Sequence, residues 1–204
     1  MVEPLTPEQF QAESGVSRET LDRLTAYLDL LAQWQRRIDL VAPSTMRDPW
    51  RRHVLDSAQL APLIPPGSRV ADLGSGAGFP GLVLAIATGL ETHLVESDQR
   101  KAEFLRAVSR ETAAPVTVHA KRIEQVPPFP ADVVTARALA ALPVLLGHAA
   151  RFAGPYTVAL FPKGRSAEAE LTTLPASPKM TIDLHPSRTD PEAVLIRIEG
   201  FARG

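Results

Sequence analysis

Residues 71 to 81 read Ala-Asp-Leu-Gly-Ser-Gly-Ala-Gly-Phe-Pro-Gly, with glycines at Gly74, Gly76, Gly78 and Gly81 and an acid, Asp72, just ahead of them. Glycines so spaced permit positive φ and let a ligand approach the backbone closely. The apolar run before them predicts a strand and the run after them a helix. Pro80 suits the first helical position, where its missing N–H costs nothing. A Gly-rich turn between strand and helix is where open parallel sheets bind ligands, outside the carboxyl ends of their strands. The plain alternative is a tight turn that holds nothing. Glu96 ends the next apolar run, about twenty residues on, where an acid can accept both hydroxyl protons of a ribose. It could also be a simple exposed acid at a strand end.

Two ligand classes compete for the glycine loop. Gly76 to Gly81 matches G-x-G-x-x-G, the dinucleotide fingerprint. Asp72 to Gly78 reads instead as an acid followed by G-x-G-x-G, the pattern of class I methyltransferases. Position favours the second, because the dinucleotide fingerprint normally begins at the strand end, whereas Gly76 lies beyond Leu73, Gly74 and Ser75. Asp72 points the same way: a carboxylate beside the loop repels a pyrophosphate but suits the cationic methionyl end of S-adenosylmethionine. Glu96 supports a bound ribose in either class. Ile123 and Glu124, after the third expected strand, would then lie beside an adenine as apolar face and edge contact.

Three further groups could do chemistry. Arg137 follows the run Asp132 to Ala136, at a strand end where a substrate would enter; it either contacts ligands there or pairs with a nearby acid. His53, Asp56 and Ser57 share one helical face, so they either hydrogen-bond the loop or a substrate, or form a buried polar link between elements. Lys163 could meet a phosphate as a point charge, or be solvated. Arg52 belongs to a basic cluster with Arg47 and Arg51, and other cations gather at Arg36–Arg37, Arg100–Lys101 and Lys121–Arg122. Any such cluster could equally be a solvated helix face.

The elements that must position these residues follow from periodicity. Leu21, Leu24, Leu28, Leu31, Trp34 and Ile38 recur at spacings of three and four, which predicts an amphipathic helix from Ser17 to Leu40. A second helix is expected from Pro49 to Leu63, before Pro65-Pro66-Gly67. Strands are expected at 69–73, 93–96, 116–118, 132–135 and 156–161, with helices at 81–87, 101–108 and 139–152. Two tail strands, 180–184 and 194–198, would close an antiparallel edge. This alternation predicts an α/β fold, Rossmann-like, with a mostly parallel seven-stranded sheet between helices. Residues 1–64 form an N-terminal helical cap on a core of residues 65–204, the whole being one compact unit.

Composition narrows the chemistry. The chain of 204 residues has no cysteine, which excludes disulfides, thiolate metal ligands and cysteine nucleophiles. Five scattered histidines with no H-x-x-x-H pair give no ground for a metal site. A net charge of −1 is not that of a general nucleic-acid binder, so any RNA contact must be local. The first residues have neither a basic n-region nor an apolar h-region, and no apolar run approaches a membrane span, so the expected location is the cytoplasm, with no membrane association.

Several words together now resemble one family, the bacterial small-subunit rRNA guanine-N7 methyltransferases, also called glucose-inhibited division protein B. They are Arg52-His53-Val54-Leu55-Asp56-Ser57, Asp72 through Gly81, Val95-Glu96-Ser97, Phe104-Leu105, Arg122-Ile123-Glu124, Thr135-Ala136-Arg137-Ala138 and Lys163-Gly164, in the family's order between Leu30 and Glu170. The chain departs from the family at Ile38-Asp39-Leu40-Val41, where an Asn-Leu-Thr-like word is usual. The resemblance implies a class I S-adenosylmethionine-dependent methyltransferase acting on a guanine in the decoding-region hairpin loop of 16S ribosomal RNA, within the ribosomal subunit and without an obligate protein partner. It implies that Gly74, Phe79, Ile123, Glu124 and Arg137 hold S-adenosylmethionine, joined on the reading above by Asp72, Ser75, Gly76, Gly78 and Glu96. Arg52, His53, Asp56, Ser57 and Lys163 are the candidate RNA contacts. Guanine N7 carries a lone pair and no proton, so no general base is expected. Catalysis by Arg137 would be positioning, and well-oriented encounters supply about 7–11 kcal/mol.

Overall fold

The structure is a computed structural model that describes residues 3–174 and 177–201. Its first helix, α1 (Pro7–Ser14), is not announced by apolar periodicity; a reciprocal cap sets it. The Gln9 N–H donates to the Thr6 hydroxyl at 3.2 Å, and the Thr6 N–H donates to the Gln9 side chain at 2.9 Å. Helix α2 (Arg18–Trp34) starts under the Ser17 hydroxyl and buries Leu21, Leu24, Tyr27, Leu28 and Leu31. It stops at Trp34 instead of running to Leu40 because the Gln35 side chain turns the chain. Its Oε1 accepts from the N–H groups of Leu40 and Val41, and its Nε2 donates to the Val41 carbonyl.

The helix expected from Pro49 to Leu63 is three short pieces. A π turn (Trp50–Leu55) leads into one α-helical turn, α3 (Asp56–Ala58), and then a 3-10 turn (Ala61–Leu63). Pro62 has no N–H with which to continue an α-helix. Single π turns are frequent at functional sites.

The alternating part follows as β1 (Val70–Leu73), α4 (Gly81–Thr88), β2 (Thr92–Val95), α5 (Gln99–Thr112), β3 (Val116–His119), β4 (Ala131–Thr135), α6 (Leu142–Ala149), β5 (Ala153–Lys163), α7 (Ala167–Leu171), β6 (Thr181–Pro186) and β7 (Val194–Glu199). One seven-stranded sheet runs β3-β2-β1-β4-β5-β7-β6, with β7 antiparallel to both of its neighbours and the other pairs parallel. All four residues of β1 are buried, as a central parallel strand requires. Helix α6 is shorter than the expected 139–152, and α5 and β5 are longer than expected; α7 was not anticipated. Pro80 stands just before α4, joined to Phe79 by a cis peptide, instead of at the first helical position.

From β1 the chain builds outward to β3 and then returns to place β4 on the other side of β1, so the strand order reverses there. Ligands of open sheets bind outside such a reversal. The helical cap completes the opposite wall: Leu24, Leu28 and Leu31 of α2 share one buried cluster with Leu82 of α4 and with Phe104, Leu105 and Val108 of α5.

Candidate active site

The strand order reversal opens into a cleft of about 1090 Å³. Its walls include Gly74, Ser75, Gly76, Phe79, Glu96, Ile123, Glu124, Arg137, Arg52, His53, Asp56 and Lys163. Twelve of the fifteen residues singled out from sequence thus meet in one place. Asp72, Gly78 and Ser57 do not line it.

The glycine loop is held in its shape by hydrogen bonds and by its own φ angles. Gly74, Gly76 and Gly78 have φ of 64°, 55° and 95°. The Ser75 N–H donates to the Val95 carbonyl at 3.0 Å, and the Gly78 N–H to the Ser75 carbonyl at 2.6 Å. A Cβ on Gly76 would meet nothing nearer than the Gly74 carbonyl at 3.8 Å, so it would stand in the open cleft. That is the geometry of a backbone cradle for a ligand.

Glu96 reaches this loop from the end of β2. One carboxylate oxygen accepts the Gly76 N–H at 2.8 Å and the other the Asp98 N–H at 2.7 Å. Each oxygen keeps acceptor capacity for a hydroxyl. Ile123 and Glu124 sit on a 3-10 turn (Ile123–Gln125) just past β3, on the same side of the cleft.

Asp72 faces the other way. It is fully buried; one oxygen accepts the Gly81 N–H at 3.3 Å and the other has no hydrogen-bond partner. Burial pushes its carboxyl up to about 7, against the pull of the Gly81 N–H and of the Arg137 charge. A Cβ at Gly81 would lie 2.7 Å from that carboxylate. Asp72, expected beside a methionyl cation, is instead sealed beneath the loop, where it fastens β1 to the start of α4.

Arg137 is the most constrained cation of the cleft. Its Nη1 donates to the Arg52 carbonyl and to Asp56 Oδ2, both at 3.2 Å, and its Nη2 donates to His53 Nδ1 at 3.1 Å. Its guanidinium carbon lies 4.9 Å from the centre of the Phe79 ring. Two N–H groups, one on Nη2 and one on Nε, are left free of these bonds out of the five a guanidinium carries. The chain then leaves β4 through Ala138 at φ 53°, a left-handed conformation that costs a non-glycine residue about 1–2 kcal/mol.

His53 stacks on Phe79 at 4.7 Å, and Tyr27 stacks on the same ring at 5.2 Å. The Tyr27 hydroxyl donates to the Ala77 carbonyl. Because Arg137 can only donate, His53 Nδ1 must accept and Nε2 must carry the proton, which goes to Thr45 Oγ1 at 2.8 Å. Burial, with the charges of Arg137 and Arg52 behind it, pushes this imidazole down to about 3. His53 is neutral, with both nitrogens engaged. Ser57 donates to the His53 carbonyl at 2.6 Å and holds the turn.

Lys163 is not solvated. Its Nζ donates to the Ala140 carbonyl and to Glu170 Oε2, both at 2.7 Å. Against desolvation, hydrogen bonds from Lys163, Ser166 and the Leu142 N–H hold the Glu170 carboxyl below its ordinary value. Arg52 is half-exposed and lies 3.6 Å from Asp190, on the turn between β6 and β7. Thr45, Glu170, Thr189 and Asp190, all in the cleft wall, escaped the sequence reading. No motif flagged them, and only the fold brings the tail to the cap. Among the described residues no cluster of three potential metal ligands occurs, and no helix is long and apolar enough to cross a membrane.

Comparison with known proteins adds a lineage to this geometry. A family model described as rRNA small subunit methyltransferase G matches residues 20–187. The chain is 59% identical to the ribosomal RNA small subunit methyltransferase G of Rhodospirillum centenum, over 95% of this chain and 90% of that protein. It is 55% identical to the protein of the same name from Paramagnetospirillum magneticum, over 97% of each. Among solved structures it resembles a mutant of MtNAS in complex with S-adenosylmethionine, with a TM-score of 0.59 and 16% identity, over 96% of this chain and 84% of that one. It also resembles a putative O-methyltransferase from Klebsiella pneumoniae, with a TM-score of 0.57 and 14% identity, over 86% and 88%. At such identities the structural likeness speaks for the fold.

Proposed function

The chain belongs to the rRNA small subunit methyltransferase G family, and on that premise we propose that its cleft methylates N7 of a guanine in the decoding-region hairpin loop of 16S ribosomal RNA, with S-adenosylmethionine as donor. The observation that carries this reading is the meeting of the glycine cradle, Glu96, the Ile123–Glu124 turn and Arg137 around one cleft. Its volume of about 1090 Å³ lies at the upper end of small-molecule pockets, with room for a cofactor and an incoming base.

The residues fit the cofactor. The open cradle at Gly76 receives a close-lying ligand, Glu96 accepts the ribose hydroxyls, and Ile123 and Glu124 flank the adenine. Gly74, Ser75, Gly78 and Phe79 fix the loop's shape, and Asp72 acts from below by anchoring it. S-adenosylmethionine, when bound, supplies an electrophilic methyl group on a cationic sulfur. Guanine N7 offers its lone pair without losing a proton, so the protein's work is orientation. Arg137, lining the cleft with two N–H groups left over from its bonds to Arg52, Asp56 and His53, is the group that would orient the reacting pair. His53 and Asp56 act by holding Arg137, and His53 has no lone pair left with which to serve as a base.

On the RNA side, Arg52 is the best placed of the five candidates, since a phosphate can take the place of Asp190. Lys163 meets RNA only by leaving Glu170. A hairpin-loop guanine can be splayed out at less cost than a base in a duplex. A chain that modifies ribosomal subunits would work in the cytoplasm.

The test is transfer of labelled methyl to small ribosomal subunits from cells lacking this protein. The expected product is an N7-methylated guanine in the RNA, detected as an alkali-labile site. Cofactor binding by calorimetry without label in RNA would overturn the substrate and leave the cofactor site standing.

A further inference from the structure

The turn between β6 and β7 lies far from every motif of the sequence, yet it touches the helical cap at several points. The Arg188 N–H donates to the Gln59 side chain at 2.8 Å, and the Gln59 amide donates to the Ser187 hydroxyl at 3.2 Å. The Thr189 hydroxyl donates to Asp56 Oδ1 at 2.7 Å, and Gln59 donates to the same oxygen at 3.0 Å. The other oxygen of that carboxylate is the one that holds Arg137. The side chains of Asp56 and Arg137 are about four-fifths buried, at 19% and 20% exposed.

A carboxylate on a rotatable stem has two equivalent ways to present its oxygens. Donors fixed on one oxygen set the plane in which the other accepts. Thr189 and Gln59 are those donors. Gln59 sits one turn along from Asp56 and moves with it, whereas Thr189 comes from a separate segment and ties the carboxylate to the sheet that carries Arg137.

We propose that Thr189 is a positioning residue of the methyl-transfer site: its hydroxyl orients Asp56 so that Asp56 and the neutral His53 together aim the Arg137 guanidinium into the cleft. The proposal rests on the reading of the cleft as a methyltransferase site. It makes the β6–β7 turn part of the active site and not merely its neighbour. A hydroxyl is what the position needs. Serine preserves it, whereas valine preserves the shape and loses the donor.

Thr189→Val and Thr189→Ser are to be compared with the wild type for methyl transfer to small subunits, for cofactor binding and for melting temperature. Loss of one hydrogen bond to a charged group should lower kcat by about threefold to tenfold in Thr189→Val. The KM for subunits should stay within about twofold, and Thr189→Ser should restore the rate. The decisive arm repeats Thr189→Val on an Arg137→Ala background. If the hydroxyl acts through Arg137, it should lower the residual rate no further. An equal loss on both backgrounds would overturn the proposal, as would full activity of Thr189→Val. Absence of transfer by the wild type would instead sink the functional reading, so the two failures are told apart.

Discussion

Acid should weaken this protein through His53, by an amount that can be worked out. The imidazole has an ordinary pKa of 6.5 and is pushed down to about 3 in the fold. It is only 5% exposed, so solvent screens little of that shift. The native state keeps the neutral form, while the unfolded chain takes up a proton as pH falls below 6.5. Stability is therefore full above about pH 7.5, declines as pH drops through 6.5, and levels off only near 3. At about 1.36 kcal/mol per pH unit, the fall from 6.5 to 5 removes about 2 kcal/mol. That is a large share of the roughly 5–15 kcal/mol that holds a typical domain together.

Urea unfolding at pH 7.5, 6 and 5 measures this directly when the wild type is paired with His53→Gln. Glutamine does not titrate, and its carbonyl can still accept from Arg137. The stability difference between the two proteins should shift by about 2 kcal/mol in favour of the variant between pH 7.5 and 5. A difference that does not change with pH would mean that His53 takes up its proton alike in both states. The network from Arg137 through His53 to Thr45 would then be misread.

Glu96→Gln leaves one acceptor oxygen where there were two and removes the charge; cofactor affinity by calorimetry should fall about tenfold or more, and an unchanged affinity would remove Glu96 from the cofactor site. Gly74→Ala places a methyl group at φ 64°, 2.6 Å from Leu139 Cδ1, the flexible end of a side chain that lines the cleft. Leu139 should swing aside, leaving a backbone penalty of about 1–2 kcal/mol, read as a lower melting temperature together with weaker cofactor binding. Lys163→Met should destabilise the protein by about 1–3 kcal/mol at neutral pH, because Glu170 keeps its burial but loses its counter-charge. Unchanged stability with weakened subunit binding would show Lys163 to be a phosphate contact instead.

Where local chemistry decides, the sequence could be read. The glycines beyond β1 demand positive φ, Glu96 falls at a strand end by its spacing, and Val70, Ala71 and Leu73, apolar on both faces of β1, mark a central strand. Where distant segments decide, it could not. Asp72 was placed correctly in β1, yet whether its carboxylate faced the cleft or the helix behind it depended on Gly81, whose missing Cβ leaves room for it. His53, Asp56 and Ser57 share a helical face on paper; in the fold His53 and Asp56 line the cleft, while the Ser57 hydroxyl bonds back to the His53 carbonyl. Lys163 looked free because Glu170, seven residues on, lies in a helix that no strong periodicity announces. Thr189 and Asp190 were invisible because nothing local distinguishes a polar turn that closes a hairpin from one that also closes a site.

The same turn has a consequence for how the chain comes into being. Asp56 and Thr189 are 133 residues apart, and Arg137 lies 81 residues from Asp56. Chains emerge from the ribosome amino end first, and contacts between remote segments form late because a long loop must close before they reward it. A growing chain thus possesses its glycine cradle and its Glu96 long before Asp56 has both of its anchors. On the reading of Thr189 as a positioning residue, the aim of Arg137 waits for one of the last turns to be made, well after the loop it points toward has been synthesised.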